Sequence, residues 1–338
     1  MINKIQTDLI KWFDNHGRSL PWRRTKDPYA IWLSEIILQQ TRIDQGLKYW
    51  ENFLREFPDV KSLSMAKESE ILALWSGLGY YSRARNIYKA AHILVSKYES
   101  QFPKTSSELL KIPGIGPYTA AAISSICFGE VTPALDGNAF RVYSRLFAMS
   151  SPIEKRSTIK DIWTLALPLI SNKSPGDSNQ AIMDIGSTIC KPKNPNCPEC
   201  PLEENCISRR SGIQHEFPVK LKSIKIKEIE KFYVLLKRGE KYGLIRRPKS
   251  GIWGGLWTPL ELIPEDWELA KTNKNIDESN IKYLKHLLSH RKMNLYFTYW
   301  IGDTFPENKE IQWFSEQDLK RLAFPAPIIK ILSEKSYF

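Results

Sequence analysis

Apolar residues recur at helical spacing through most of the first 210 positions. The stretches with this spacing are 28–41, 69–75, 84–97, 105–112, 117–128, 139–149 and 158–170, with Pro and Gly residues between them. Thr105-Ser-Ser-Glu108 has the sequence of a capping box at the start of one of these helices. No strand-like runs alternate with the helices, so residues 1–210 are predicted to be all-α.

The pattern changes after this helical region. Residues 211–231 are polar and rich in lysine, as is typical of a linker. Strand-like runs follow at Phe232–Lys237, Gly243–Arg247, Asn294–Ile301 and Ile311–Phe314. We therefore predict a linker over residues 211–228 and a smaller α+β domain over residues 229–338.

The 338-residue length favours two or three domains, and 42% hydrophobic with 25% charged residues is typical of a globular protein. No apolar run is long enough to span a membrane, and the N-terminal segment is amphipathic, which a signal peptide is not. These features predict a cytoplasmic protein. The net charge of +12 suits a polyanionic partner such as nucleic acid, although a basic protein without such a partner would have the same balance.

Four of the five cysteines lie close together in the sequence. Cys190, Cys197, Cys200 and Cys206 have the spacing C-x6-C-x2-C-x5-C, and one compact loop could supply all four thiolates to an iron–sulfur cluster or to a zinc ion. Zinc sites usually show two C-x2-C pairs, whereas this chain has one, so the spacing favours the iron–sulfur cluster. Cys127 lies in an apolar helical stretch and is predicted to be a core thiol.

A glycine-containing turn, Leu110-Lys-Ile-Pro-Gly114-Ile-Gly116-Pro-Tyr118, separates two predicted helices. Proline is favoured at the first helical position, so the second helix is predicted to begin at Pro117. Backbone N–H groups at such a turn and helix start can bind a phosphate. The segment could be a plain helix–helix turn, but in a basic chain it resembles a helix-hairpin-helix, which holds DNA without reading its sequence.

The helix predicted over 28–41 has Asp27 as its cap and Pro28 at its first position. Its Ile, Leu and Trp side chains fall on nearly every side, which is typical of a buried helix. Glu35 is its only charged residue. Burial raises the pKa of a carboxyl group, so Glu35 is a candidate general acid near neutral pH, with a structural Glu–Arg pair as the alternative.

Asp136 lies in Leu135-Asp-Gly-Asn138, directly before the helix predicted over 139–149. Asp136 and Asn138 could be only turn and cap residues. Alternatively, cleavage of an N-glycosidic bond needs an acid and a carboxylate beside an oxocarbenium-like transition state, as in sugar hydrolases. Asp136 is the candidate for that second carboxylate.

These segments together resemble the adenine DNA glycosylase (MutY) family of the endonuclease III superfamily. The resemblance covers essentially the whole chain. It is carried by Leu20-Pro-Trp-Arg23, Trp32-Leu-Ser-Glu-Ile-Ile-Leu-Gln-Gln-Thr41, Gly77-Leu-Gly-Tyr-Tyr-Ser-Arg-Ala-Arg-Asn86, the glycine turn, Leu135-Asp-Gly-Asn138 and the cysteine segment. The resemblance implies a [4Fe–4S] cluster on the four cysteines.

The resemblance also implies catalytic roles. Glu35 would protonate adenine at N7 and help to activate water, and Asp136 would stabilise the oxocarbenium ion, with a transient covalent bond as a further possibility. Tyr118 and Asn138 would orient these groups, and Arg23 would line the base pocket. In relatives that also cut the DNA strand, a lysine at the position of Tyr118 forms a Schiff base. Tyrosine cannot do so, and the resemblance therefore implies a monofunctional enzyme that leaves an abasic site.

Further residues match those that contact DNA in this family. Gln40, Thr41, Leu78 and Tyr80 match residues that wedge beside the lesion, while Gly114 and Gly116 belong to the DNA-binding hairpin. Tyr80 could instead be a core aromatic, but the glycine-rich turn before it favours exposure.

The motif Ser250-Gly-Ile-Trp-Gly-Gly-Leu-Trp257 resembles part of the Nudix-like domain found at the C-terminal end of family members. A catalytic Nudix motif needs an Arg–Glu cluster that holds Mg²⁺, and the residues after Gly255 lack one, so this domain is predicted to bind without hydrolysing. His286-Leu-Leu-Ser-His290 matches the loop that contacts 8-oxoguanine through Ser289 and His290; members commonly have Phe where this chain has Leu288. A surface-loop role is the alternative for His290.

We thus expect a six-helix subdomain over about 21–130, an iron–sulfur subdomain formed by 1–20 and 131–210, and a Nudix-like α+β domain. The expected substrate is double-stranded DNA with A·8-oxoguanine or A·G mispairs, bound by a monomer. A thymine glycosylase acting on T·G mismatches is the alternative, because that branch can also carry Tyr at the hairpin position, but its members generally lack the C-terminal domain. A non-catalytic DNA-binding protein and a Nudix hydrolase are disfavoured by Glu35 and by the missing glutamates, respectively.

Overall fold

The computed structural model describes residues 2–221, 226–288, 291–302 and 310–333. Its internal contacts divide the chain into two compact units. The first unit comprises Met1–Met65 and Asn86–Lys222, and the second comprises Ala66–Arg85 and Ser223–Phe338. The short segment Ala66–Arg85 therefore has its packing partners in the C-terminal part of the chain. No helix among the described residues is long and apolar enough to cross a membrane.

Residues 2–210 form α-helices and short 3-10 turns, as predicted. The α-helices are α1 (Ile2–His16), α2 (Pro28–Ile37), α3 (Ile43–Glu56), α4 (Val60–Met65), α5 (Glu68–Leu74), α6 (Ser82–Tyr98), α7 (Ser106–Leu109), α8 (Pro117–Phe128), α9 (Gly137–Leu146), α10 (Arg156–Ala166), α11 (Pro175–Thr188) and α12 (Ile207–Arg210). One apolar core joins the N-terminal helix to later ones, because Ile5 and Leu9 of α1 pack with Tyr143, Ile182 and neighbours on α9 and α11.

Capping and turn residues set where the helices of the first unit begin and end. Asp27 caps α2 by accepting hydrogen bonds from the N–H groups of Tyr29 and Ala30, as predicted. Helix α8 begins at Pro117 and ends at Phe128, where the next residue, Gly129, caps it with a left-handed φ of 75°. The apolar spacing predicted a helix over 28–41, but α2 ends at Ile37 because the chain turns there and Gln40 adopts a left-handed φ of 56°.

The described part of the second unit contains one mixed sheet and short helices. Besides α5, which lies in Ala66–Arg85, its elements are β1 (Lys227–Arg238), β2 (Lys241–Arg246), β3 (Trp257–Thr258), β4 (Leu260–Leu262), α13 (Pro264–Thr272), β5 (Lys282–Leu288), β6 (Arg291–Tyr299), β7 (Gln312–Ser315), α14 (Glu316–Leu319) and α15 (Ala326–Leu332). The strand order is β3-β2-β1-β6-β5, with β4 paired to β1 and β7 paired to β2. β1 and β6 are parallel, and the other pairs are antiparallel. The predicted fold class is confirmed.

Strands β3, β4 and β5 were missed by the sequence pattern. β3 and β4 are only two and three residues long, which is too short for a visible alternation. β5 alternates half-buried and exposed residues, but Lys282 and Lys285 occupy two of its seven positions. His286 and Leu288, predicted to belong to a lesion-contacting loop, lie in β5, while Ser289 and His290 lie outside the described residues.

Candidate active site

Glu35 projects from a helix that is otherwise buried. Eight of the ten residues of α2 are buried, as its all-round apolar pattern predicted, and Glu35 alone carries a charge there. Burial raises the pKa of Glu35 to about 7, although the hydrogen bond from Tyr118 lowers it and the Asp136 carboxyl raises it further. Glu35 can therefore hold a proton at neutral pH and release it within a cleft.

Tyr118, in the first turn of α8, makes direct contact with this carboxyl group. Its hydroxyl donates a hydrogen bond to Oε2 of Glu35 over 2.6 Å. Burial raises the pKa of Tyr118 well above its usual value, and the carboxyl groups of Glu35 and Asp136 add to this effect. Tyr118 therefore stays protonated and can act as a fixed donor to Oε2 of Glu35.

Asp136 faces the same cleft from the start of α9. Its Oδ1 caps the helix by accepting the Ala139 N–H over 2.7 Å, and its Oδ2 accepts from the Asn138 side-chain amide over 2.9 Å. Burial raises the pKa of Asp136, and these donors oppose that shift. Asp136 therefore caps α9, as one of the two interpretations predicted, and it lines the cleft at the same time. Asn138 instead bonds to Asp136 by its side chain.

A hydrogen-bonded path runs from Asp136 to the cysteine segment. Arg141 donates to Asn138 Oδ1 over 2.9 Å and, from its Nε, to the Cys190 carbonyl over 2.7 Å. Helices α9 and α11 come together closely here, since a Cβ on Gly186 would lie 2.6 Å from the Cβ of Asn138. A side chain at position 186 would collide with Asn138, so a glycine is needed there for the two helices to approach this closely.

Arg23 lines the cleft, and a buried carboxylate holds it in place. Asp184 of α11 is fully buried and accepts from both terminal nitrogens of Arg23, over 2.7 and 2.9 Å, and from the Arg18 N–H. Burial alone would raise the pKa of Asp184, but the bonds from Arg23 and Arg18 lower it. Asp184 is a residue that sequence reasoning missed; only its position on a helix preceding the cysteines could have drawn attention to it.

These side chains surround one cleft in the first unit, with a volume of about 550 Å³. It brings together the predicted residues Glu35, Asp136, Tyr118, Asn138, Arg23, Gln40 and Thr41. Trp22, Gln180 and Met183 also line it and were not predicted. Gln180 and Met183 lie on α11, whose apolar residues gave no sign of which face would be open.

The glycine turn lies between α7 and α8. Gly114 has a φ of 81°, and a Cβ there would lie 2.5 Å from the Cβ of Asn86, so both conformation and packing require glycine. Gly116 precedes Pro117 as the cap of α8, and open space surrounds the place where its Cβ would be. The first N–H groups of α8 lack carbonyl partners within the helix, so a phosphate could approach them closely.

The four predicted ligand cysteines line one small cavity of about 30 Å³. Among the described residues, no three ligating side chains come close enough to hold a single metal ion. The buried guanidinium of Arg145 also donates to Cys190 Sγ over 3.3 Å, which suits an anionic thiolate. The residues present therefore fit a cluster.

The other residues predicted to contact DNA lie in the second unit. Tyr80 is 46% exposed with a left-handed φ of 49°, whereas Leu78 is buried. Glu261, the first acidic residue after Gly255, accepts from Arg247 over 2.5 Å and also bonds to Lys231. Protein cations thus bind both oxygens of this carboxylate.

Comparison with known proteins agrees with this geometry. Residues 33–167 match the model of the "HhH-GPD superfamily base excision DNA repair protein" family, and residues 232–334 match that of the NUDIX domain. The adenine DNA glycosylase of Buchnera aphidicola subsp. Schizaphis graminum is 34% identical, with 96% of each chain covered. The chain belongs to the adenine DNA glycosylase family.

Adenine DNA glycosylases of other organisms also match. The human one is 37% identical over 64% of this chain and 41% of its own length. Among solved structures, a thermostable thymine-DNA glycosylase superposes with a TM-score of 0.58 at 27% identity, covering 62% of this chain and 97% of that one. A trapped endonuclease III–DNA covalent intermediate has the same fold, with a TM-score of 0.53. The Buchnera enzyme matches 96% of this chain and the thymine-DNA glycosylase 62%, which disfavours the thymine alternative.

Proposed function

We propose that this chain hydrolyses the N-glycosidic bond of adenine mispaired with 8-oxoguanine or guanine in double-stranded DNA. The observation that carries the proposal is a carboxyl group with a pKa of about 7, held by Tyr118 in a cleft that also contains Asp136. The glycosidic carbon is inaccessible in stacked DNA, so the adenine must leave the helix and enter this cleft. A volume of about 550 Å³ is sufficient for a nucleoside.

The arrangement supports a two-step reaction. Protonated Glu35 gives its proton to N7 of adenine, and the base leaves with the electron pair of the glycosidic bond. The sugar is left as an oxocarbenium ion, which the Asp136 carboxylate stabilises. Glu35, now a carboxylate, accepts a proton from the water that attacks the sugar. Tyr118 and Asn138 orient the two carboxyl groups, and Arg23 lines the pocket for the base.

The cysteines would hold a [4Fe–4S] cluster through Cys190, Cys197, Cys200 and Cys206. The cluster would order the segment between α11 and α12, and Arg141 would connect this segment to Asn138. The glycine turn with Gly114 and Gly116 would bind a DNA phosphate, and Gln40, Thr41, Leu78 and Tyr80 would hold the distorted duplex. Ser289 and His290 would contact 8-oxoguanine. We expect the chain to act as a monomer.

Single-turnover base release tests the function. We expect adenine release from A·8-oxoguanine and A·G duplexes and none from T·G or A·T duplexes. Strand breaks should appear only after hot alkali, because Tyr118 cannot form a Schiff base. Release of thymine from T·G would support the thymine alternative, and strand cutting without alkali would contradict a monofunctional mechanism.

The cluster can be tested by metal analysis. Protein purified without oxygen should contain about four iron atoms per chain and show the visible absorbance of thiolate-bound iron. Cys200→Ser should lose this absorbance and lower thermal stability, because the segment from 190 to 206 loses its cross-link. Cys127→Ser is the matched control and should retain the iron. Zinc without iron in the wild-type protein would overturn the assignment.

A further inference from the structure

The loop Gly77–Tyr80 has a conformation that needs support. Gly77, Gly79 and Tyr80 have left-handed φ angles of 91°, 78° and 49°. Such angles suit glycine, but they strain tyrosine, whose Cβ crowds the backbone. Despite this strain Tyr80 keeps 46% of its surface exposed, so burial of its ring does not account for its conformation. Hydrogen bonds to the loop and to the residues at its two ends are therefore needed to hold this conformation.

The backbone of a single residue of the C-terminal segment, Phe324, binds both ends of this loop. The Phe324 N–H donates to the Ser76 hydroxyl over 3.2 Å, and that hydroxyl donates to the Phe324 carbonyl over 3.3 Å. The Tyr81 hydroxyl also donates to the Phe324 carbonyl. In addition, the Tyr81 oxygen accepts from the Gly77 N–H over 3.0 Å. Ser76 and Tyr81 thus bracket the four-residue loop and tie it to Phe324.

Phe324 is itself firmly anchored. It is 4% exposed and packs in the core beneath the sheet, together with residues of α15 such as Ile328 and Ile331. The carbonyl of the preceding residue, Ala323, accepts from the Trp257 N–H over 3.0 Å. The Phe324 backbone, which binds the loop, is therefore held as rigidly as the C-terminal core.

Contacts within and beside the loop complete its support. Trp75 and Arg83 donate hydrogen bonds to the Gly79 carbonyl over 2.9 and 3.1 Å. The guanidinium of Arg83 also lies over the face of the Tyr80 ring in a cation–π contact. Arg85 donates to the Gly254 carbonyl of the predicted Nudix-like motif. A cavity of about 410 Å³ is lined by this loop, by Gly251–Gly254 and by His286–Leu288.

We propose that Ser76 and Tyr81 are positioning residues through which the C-terminal domain sets the conformation of Tyr80 for reading the base opposite adenine. The inference rests on the proposed function and deepens it. Both residues act through the loop and contact no substrate. It follows that the preference for 8-oxoguanine over guanine depends on the backbone N–H and carbonyl of Phe324 as well as on residues that touch the lesion.

The test uses the full chain carrying Ser76→Ala together with Tyr81→Phe. These changes remove the two hydroxyl groups and keep almost all of the apolar volume. Tyr29→Phe is the matched control, because the buried Tyr29 hydroxyl also donates to a backbone carbonyl, that of Phe57, over 2.7 Å in the first unit. Ser76→Thr combined with wild-type Tyr81 retains both hydroxyls and should behave like the wild type.

Two readouts are needed. The ratio of single-turnover rates on A·8-oxoguanine and A·G duplexes should fall about tenfold in the double variant, the order expected for lost hydrogen bonds. Hydrogen–deuterium exchange at residues 77–81 should accelerate, which reports on the loop without requiring activity. The Tyr29→Phe control should change neither.

Each outcome decides between distinct claims. Unchanged exchange in the double variant would show that these hydroxyls do not hold the loop, and faster exchange with an unchanged rate ratio would show that the held conformation is not used for recognition. Either result overturns the inference and leaves the proposed function intact. A wild-type chain with equal rates on both duplexes would instead overturn the proposed preference for 8-oxoguanine.

Discussion

Glu35→Gln is expected to lower the rate of adenine release by about 10²–10⁴-fold, the usual contribution of a general acid. The amide has nearly the same shape, and its oxygen can still accept the hydrogen bond that Tyr118 makes over 2.6 Å. It cannot transfer a proton to N7, however. The variant should therefore fold and bind mismatched duplex with an affinity close to that of the wild type.

The pH dependence tests the same assignment. Because burial raises the pKa of Glu35 to about 7, its acid form predominates below that pH and is lost above it. The single-turnover rate of the wild type should thus fall about tenfold for each pH unit well above 7, and this limb should disappear in Glu35→Gln.

Glu51→Gln is a suitable control, since Glu51 is an exposed residue of α3 in the same unit. It should leave the rate and its pH profile unchanged. Full turnover by Glu35→Gln, or a wild-type rate that does not depend on pH between about 6 and 9, would exclude Glu35 as the proton donor.

Asp136→Asn is expected to reduce the rate by about 10²–10³-fold, which is typical of losing one electrostatic group that stabilises a transition state. Asparagine caps helices as well as aspartate does, so the bond to the Ala139 N–H can persist and α9 should keep its stability. The substitution therefore separates the charge of Asp136 from its capping role. Single-turnover rates and thermal unfolding should be measured together.

Asp27→Asn provides the matched control. Asp27 caps α2 in the same manner and is exposed. Its variant should retain both activity and melting temperature. If Asp136→Asn melted well below Asp27→Asn and lost activity only in proportion to its unfolding, the role of Asp136 would be that of a cap alone.

Much of the helical structure of this protein, and its family, could be predicted from local sequence patterns. Helical spacing and caps such as Asp27 are local, because each depends on side chains within a few residues. They predicted seven of the twelve α-helices described between residues 2 and 210. The buried character of α2 also followed from its sequence, and with it the unusual environment of Glu35. The motifs were specific enough to indicate the family.

Which of the site residues contact one another depends on how the helices pack together, and local sequence patterns do not show this. Tyr118 and Glu35 are 83 positions apart, and their hydrogen bond depends on how α2 packs against α8. Asp184 accepts a hydrogen bond from Arg23, which lies 161 positions earlier in the chain. Position 186 requires glycine only because α9 and α11 lie so close together at Asn138. Likewise, the spacing of Gly77–Tyr80 gave no sign that its ends would bind Phe324, 243 positions beyond Tyr81. Periodicity fixes which face of a helix is apolar, but the partner of that face is chosen by the packing of the whole chain.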